Sequence, residues 1–206
     1  MFFSQYNTLT DASTATNTGQ GNIQVTASRG YNRISLIQDG SFQDYTCILQ
    51  PGGSCPFIPS AFWTRVIPGQ NDFILVNNYQ GITHSGTSAA LFFFTTNSPP
   101  PFLGSTLTYA LPLNAVPGKT YVISLFHTPS SDQSTSGAPM VSALWNGVPA
   151  INITQPGPVD ISTVLTYFNI QAEVVATGHD TFVLQDGTAF THTVYIDDIA
   201  IFEKWY

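Results

Sequence analysis

The sequence predicts an all-β chain folded as a two-layer antiparallel β-sandwich of about ten strands. Three observations carry this expectation. Helical spacing of apolar residues is not sustained over any stretch of eleven or so residues. The 14 Pro and 16 Gly interrupt the chain at short intervals, as turns between short strands require. Between those interruptions lie brief apolar runs with no fixed repeat, which favours a sandwich over a repeat array.

Residues 1–32 read as an N-terminal extension, ahead of a sandwich domain over 33–206. Within the extension, residues 4–21 are rich in Ser, Thr, Asn and Gly, after which Ile23, Val25 and Ala27 alternate as an edge strand. In the domain, strands are expected at 33–38, 72–77, 88–95, 106–111, 120–126, 140–145, 148–153, 167–175, 181–185 and 192–202. Pro117-Gly118 is a turn that launches the strand beginning at Thr120. Asn146-Gly147 is a hairpin signal, because both residue types accept the positive φ of a type I′ turn. Ser98-Pro99-Pro100-Pro101 forms a stiff extended loop. In the last strand an unbroken alternation puts Val194, Ile196, Asp198, Ala200 and Phe202 on one face and Tyr195, Asp197, Ile199 and Ile201 on the other. One of the two adjacent carboxylates is then expected to enter the core and to need a hydrogen-bond partner or a cation.

Composition excludes several functions. Of 206 residues, 43% are hydrophobic and only 8% charged, and the formal net charge is −7. Five Lys plus Arg against twelve Asp plus Glu provide no basic surface to neutralise phosphates, which argues against nucleic-acid binding and against a polybasic membrane anchor. The longest apolar runs, such as 89–94, fall far short of the roughly 18 residues of a membrane helix, so membrane insertion is not expected. Met1-Phe2-Phe3 runs straight into Ser4-Gln5 without the pattern of a signal peptide. Surface polarity drawn from Ser, Thr, Asn and Gln rather than Lys and Glu nevertheless reads as a secreted style.

Cys47 and Cys55 bracket the turn signal Pro51-Gly52-Gly53, and a local disulfide between them is expected, with two free thiols as the alternative. Such a short loop contributes about 2.5 kcal/mol in the chain-entropy model and implies an oxidising compartment.

Several ordered segments carry a resemblance: Leu36-Ile37-Gln38-Asp39-Gly40-Ser41-Phe42-Gln43, Phe62-Trp63-Thr64, the turn and strand from Val116 to Phe126, Leu144-Trp145-Asn146-Gly147, the stretch from Tyr167 to Leu184, and Tyr195-Ile196-Asp197-Asp198-Ile199. Together they resemble the jelly-roll carbohydrate-binding modules with a galactose-binding-like fold, common in secreted fungal and bacterial proteins. The resemblance implies a jelly-roll sandwich, a buried Trp63, and a lectin-like tendency to bind sugars in a secreted or cell-wall setting, here of fungal type. It also implies a structural calcium between an opening Glu and a closing Asp-Asp pair. Gln43 stands at the Glu position, so Gln43 and Asp198 become the calcium candidates with one charge fewer than the pattern has. A hydrogen-bonded structural carboxylate is the competing reading of Asp198.

Sugar recognition needs flat aromatic faces for the C–H side of a pyranose and planar polar groups for its hydroxyls. Trp145 with Asn146 at the hairpin, Tyr79, Phe126 and Arg65 are the candidates, and for each aromatic a packing role competes. One ring and a few hydrogen bonds support an affinity of about 0.1 mM, enough for a multivalent wall polysaccharide. A glycosidase needs two carboxylates in one cleft, and only Glu173 and Glu203 are available as Glu. His84, His127, His179 and His192 are dispersed, with no metal-ligand spacing and no nucleophile elbow. Asn152-Ile153-Thr154 is the one N-glycosylation triplet in the chain. The expected function is non-catalytic binding of a polysaccharide or glycan. The alternatives are a structural, self-associating surface or matrix protein forming a homo-oligomer, and a small polysaccharide hydrolase or lyase.

Overall fold

The computed structural model describes residues 6–7, 24–26, 32–43, 54–56, 61–66, 72–77, 83–86, 88–94, 104–130, 138–154, 167–187 and 191–205. Among them there is no helix. In chain order the strands are β1 (Tyr6–Asn7), β2 (Gln24–Thr26), β3 (Asn32–Ile34), β4 (Ser54–Pro56), β5 (Trp63–Val66), β6 (Asp72–Asn77) and β7 (Ala89–Phe94). They continue with β8 (Thr106–Tyr109), β9 (Thr120–Ser130), β10 (Val141–Trp145), β11 (Val148–Ile153), β12 (Phe168–Val175), β13 (Phe182–Asp186) and β14 (His192–Glu203). A five-stranded sheet in the order β11-β10-β13-β8-β5 packs on a six-stranded sheet in the order β12-β9-β14-β7-β6-β4. Pairing is antiparallel throughout both, and the architecture is a β-sandwich of jelly-roll type. β2 lies between β3 and a parallel β1 in a small sheet of its own.

Period-2 alternation explains the core. Val141, Ala143 and Trp145 on β10, Phe182 and Leu184 on β13, and Leu107 and Tyr109 on β8 turn inward from one sheet. Tyr121, Ile123 and Leu125 on β9, Phe92 on β7, and Val194 and Ile196 on β14 meet them from the other. Trp63 lies fully buried among Phe42, Tyr109 and Phe182, with ring centroids at 5.3, 5.3 and 6.3 Å. Its indole N–H donates to the Asp39 carbonyl at 3.0 Å, satisfying the one polar atom that burial would otherwise strand.

The two turn signals form as expected. Asn146 and Gly147 take φ of 53° and 77° between the paired strands β10 and β11. Gly118 has φ 79°, and Lys119 N–H closes the turn on the Val116 carbonyl at 3.1 Å.

The last strand departs from the unbroken alternation. Its pairing with β9 slips between Asp197 and Ala200, and Asp198 has φ 48°. This is a β-bulge, in which one extra residue shifts the side-chain frame. Val194 and Ile196 before it, and Ile199 and Ile201 after it, therefore all reach the core. Asp198, expected on the face of Val194, is instead held on the outer side. Beyond the bulge, β14 loses β7 as a neighbour and pairs with residues 36–40: Leu36 N–H donates to the Ile201 carbonyl at 2.7 Å, and Ile199 N–H to the Gly40 carbonyl at 2.9 Å. A Cβ at Gly40 would stand 1.9 Å from the Ile199 oxygen, so this crossing requires glycine.

His127 lies on the inward row of β9, one step past Leu125. It is buried and its Nδ1 has no hydrogen-bond partner. Burial pulls its pKa down to about 4. The unfolded chain then takes up this proton first as pH falls, so stability is intact above about pH 6.5 and is lost progressively towards pH 4, by about 3 kcal/mol in full. Asp197 works in the opposite sense. Its pKa is raised by burial and then by the neighbouring Asp198, so the folded state gains stability on taking up that proton. Urea denaturation between pH 7 and pH 4 should show a smaller acid loss for His127→Leu than for the wild type; equal slopes would overturn the assignment.

Candidate functional site

The outer face of the six-stranded sheet concentrates the polar chemistry. On β9 the residues turned outward are Val122, Ser124 and Phe126; on β14 they are Tyr195, Asp197, Ala200 and Phe202; on β12 they are Asn169, Gln171 and Glu173. Asp197 is 0% exposed. Its carboxylate accepts from His84 N–H at 2.9 Å and Ser85 N–H at 3.1 Å through one oxygen, and from Asp198 N–H at 2.8 Å through the other. Asp198 accepts the Ser85 hydroxyl and lies 2.6 Å from His84 Nδ1. Residues 83–86 are thereby fastened across the sheet, and the His84 ring stacks on Phe126 at 3.8 Å. Tyr167 closes on the same imidazole at 5.4 Å; burial, then the charge of Asp197, raises its hydroxyl pKa.

Beside this covered patch runs an open one. Asn169, Gln171 and Glu173 are exposed along β12, the edge strand of the sheet. Gln171 Nε2 donates to Asn169 Oδ1 at 2.9 Å, and Asn169 Nδ2 donates to Ser124 Oγ at 2.9 Å and to the Leu125 carbonyl at 3.3 Å. The two amides are thus oriented in advance. Glu173 Oε1 lies 2.6 Å from Lys204 Nζ, and Glu203 pairs separately with Lys119 at 3.2 Å. Directly after Lys204 comes Trp205, 66% exposed, whereas Trp63 and Trp145 are both buried.

These positions differ from the sequence candidates. Trp145, expected as an outward platform, is only 6% exposed, and its indole N–H donates to the Val175 carbonyl at 3.3 Å. It shares the parity of Val141 and Ala143, which faces the core. Asn146 serves the turn: its Nδ2 donates to Asp180 Oδ1 at 2.7 Å and its Oδ1 accepts Thr181 N–H at 2.8 Å. Phe126 does face outward, but the stacked His84 ring covers it, so it offers no free face. Arg65 is half-buried on β5 opposite Leu107, on the inward row, away from the β12 strip. Tyr79 and Cys47 lie outside the described residues, and with Cys47 the expected disulfide; Cys55 falls in β4.

Both calcium candidates take part in hydrogen bonds of their own. Gln43 Nε2 donates to the carbonyls of Ser41 and Ser88, and both Asp198 oxygens are engaged by His84 and Ser85. Among the described residues no three His, Cys, Asp or Glu side chains gather as a metal site. Asn169, Gln171 and Trp205 were not singled out by sequence reasoning. Asn169 and Gln171 alternate with Ile170 and Ala172, a signal of an outward polar row, while nothing local distinguishes an open Trp205 from a buried tryptophan.

No protein-family model matches the chain, and no curated protein matches it in sequence. Among solved structures it is similar to the CBM22-1 xylan-binding domain from Paenibacillus barcinonensis Xyn10C, at 13% identity and a TM-score of 0.43, over 75% of this chain and 97% of that one. It is also similar to the N-terminal cellulose-binding domain of Cellulomonas fimi β-1,4-glucanase C, at 15% identity and 0.38, over 77% and 99%. A third is a carbohydrate-binding module of Cellvibrio mixtus lichenase 5A in complex with cellotriose, at 14% identity and 0.37, over 66% and 88%. Among the described residues no helix is long and apolar enough to cross a membrane.

Proposed function

We propose that this protein is a secreted, non-catalytic module that binds a cell-wall polysaccharide on the outer face of its six-stranded sheet. The observation that carries the reading is the pre-oriented amide pair Asn169 and Gln171, exposed in line with Glu173 along β12. Asn169 Nδ2 spends both hydrogens on Ser124 and Leu125, and Gln171 Nε2 donates to Asn169. The pair therefore meets pyranose hydroxyls chiefly as acceptors, through its amide oxygens, Gln171 Oε1 and the remaining lone pair of Asn169 Oδ1. Their orientation is set before any ligand arrives, so less side-chain entropy is lost on binding. Trp205 adds an open aromatic ring next to Lys204, the partner of Glu173. The two glutamates sit in separate lysine pairs and do not form the opposed acid and base of a glycosidase.

The test is affinity electrophoresis on soluble xylan, xyloglucan and mixed-linkage β-glucan, with pull-downs on insoluble cellulose and chitin. The wild type is expected to bind at least one with an affinity of about 0.1 mM. Asn169→Ala with Gln171→Ala should weaken that binding by about tenfold or more, corresponding to about 1.4 kcal/mol, and Trp205→Ala should weaken it by a similar factor. Retention of full affinity by the double variant, or no binding to any of the five, overturns the reading.

A further inference from the structure

The opposite face of the sandwich is built from different chemistry. Across the five-stranded sheet the outward residues form two rows in register: Asn152, Ser142, Gln185, Thr106 and Val66, then Pro149, Leu144, Val183, Thr108 and Thr64. Neither row contains a charged side chain. Val66 at one edge is 60% exposed, and β11 forms the other edge. An uncharged sheet face of this extent is a surface for association, which soluble proteins ordinarily interrupt with charge or a covering group; Pro149 blunts the β11 edge but adds no charge to the face.

Asn152 lies on that edge. It is exposed near the end of β11, the next residue Ile153 is 1% exposed in the core, and Thr154 is exposed again. The triplet Asn152-Ile153-Thr154 therefore presents both of its recognition side chains away from the core. Ser142 Oγ donates to Asn152 Oδ1 at 2.7 Å, engaging the amide oxygen and leaving the nitrogen as the end that meets solvent.

We propose that Asn152 is an N-glycosylation site and that its glycan covers the uncharged face. The donor is a lipid-linked oligosaccharide diphosphate. Asn152 Nδ2 attacks the sugar C1, the new N–C1 bond forms as the C1–O bond to the diphosphate breaks, one Nδ2 proton passes to a base of the transferase, and the lipid diphosphate departs. No electron transfer is involved. The attached glycan supplies hydration where the sheet has no charge, and it opposes face-to-face pairing of two copies.

The experiment secretes the full chain from yeast behind a vector-supplied signal and compares intact mass and the Asn152 peptide before and after peptide N-glycosidase F. An enzyme-sensitive mass increment on Asn152 is expected, absent from Asn152→Gln and from Thr154→Ala. Light scattering should show the glycosylated protein as a monomer, with the deglycosylated protein and Asn152→Gln associating as concentration rises. An unmodified Asn152 in the secreted wild type overturns the site, and a deglycosylated protein that stays monomeric overturns the covering role. Asn152 lies on the face opposite the β12 strip, so polysaccharide binding by Asn152→Gln should equal that of the wild type, and the two proposals fail separately.

Discussion

Asp186→Ala or His192→Ala should each lower unfolding stability by about 3–5 kcal/mol, because either leaves an ionisable group buried without its counterpart. His192 opens β14 in the six-stranded sheet and Asp186 ends β13 in the five-stranded one. Their side chains are wholly buried, with Nε2 and Oδ1 2.7 Å apart, and Phe94 stacks on the imidazole at 5.9 Å. The pair therefore fastens one end of the two layers together. Exchanging both residues for apolar ones of similar volume should recover most of the loss, since the desolvation cost of the pair disappears with it. Guanidinium denaturation of the two single variants and of Asp186→Leu with His192→Leu checks this. Single variants within about 1 kcal/mol of wild type would show that the contact does not hold the layers.

Asp197→Ala should free residues 83–86 from the sheet. The substitution strands the N–H groups of His84, Ser85 and Asp198 together, and each unpaired buried donor costs about 1–3 kcal/mol. The least costly response is for the segment to lift, which hydrates those donors and uncovers Phe126. Amide exchange at His84 and Ser85 should accelerate by about a hundredfold or more, equivalent to at least about 2.7 kcal/mol of lost protection. Exchange in β10 and β13, on the other sheet, should change far less. Asp197→Asn should fall between, because its single carbonyl oxygen can still accept from His84 and Ser85 while its amide N–H₂ faces the Asp198 donor. Unchanged exchange at His84 in Asp197→Ala would mean that the Asp198 contacts to His84 and Ser85, with the stacking on Phe126, hold the segment without Asp197.

What was legible in the sequence followed from local rules. Asn146-Gly147 and Pro117-Gly118 specify their turns through φ alone, and alternation placed 72–77 and 148–153 residue for residue. Trp63 was rightly read as core from the resemblance. β5 and β4 went unseen as strands because they are three or four residues long and hold too few alternations to register. The bulge was hidden for a related reason: Asp197-Asp198 fits a continuous period of two as well as an interrupted one, and only pairing with β9 distinguishes them. Trp145 was misread because a hairpin tip suggests exposure, although the parity of Val141 and Ala143 already assigned it inward. His84 and Ser85 bond Asp197 from more than a hundred residues away in sequence, and no spacing rule carries that information.

The position of β14 has a consequence for biosynthesis. It follows every other described strand of the sandwich in chain order, yet it sits mid-sheet between β9 and β7 and takes residues 36–40 as a third neighbour. While translation proceeds, β9 and β7 have a vacant slot between them, and the early segment 36–40 lacks its backbone partners on β14, with only its contacts to Trp63 and Tyr109 to hold it. The larger layer closes only once residue 203 has cleared the ribosome, so a nascent chain halted before His192 should remain protease-sensitive and chaperone-bound whatever its smaller layer has achieved.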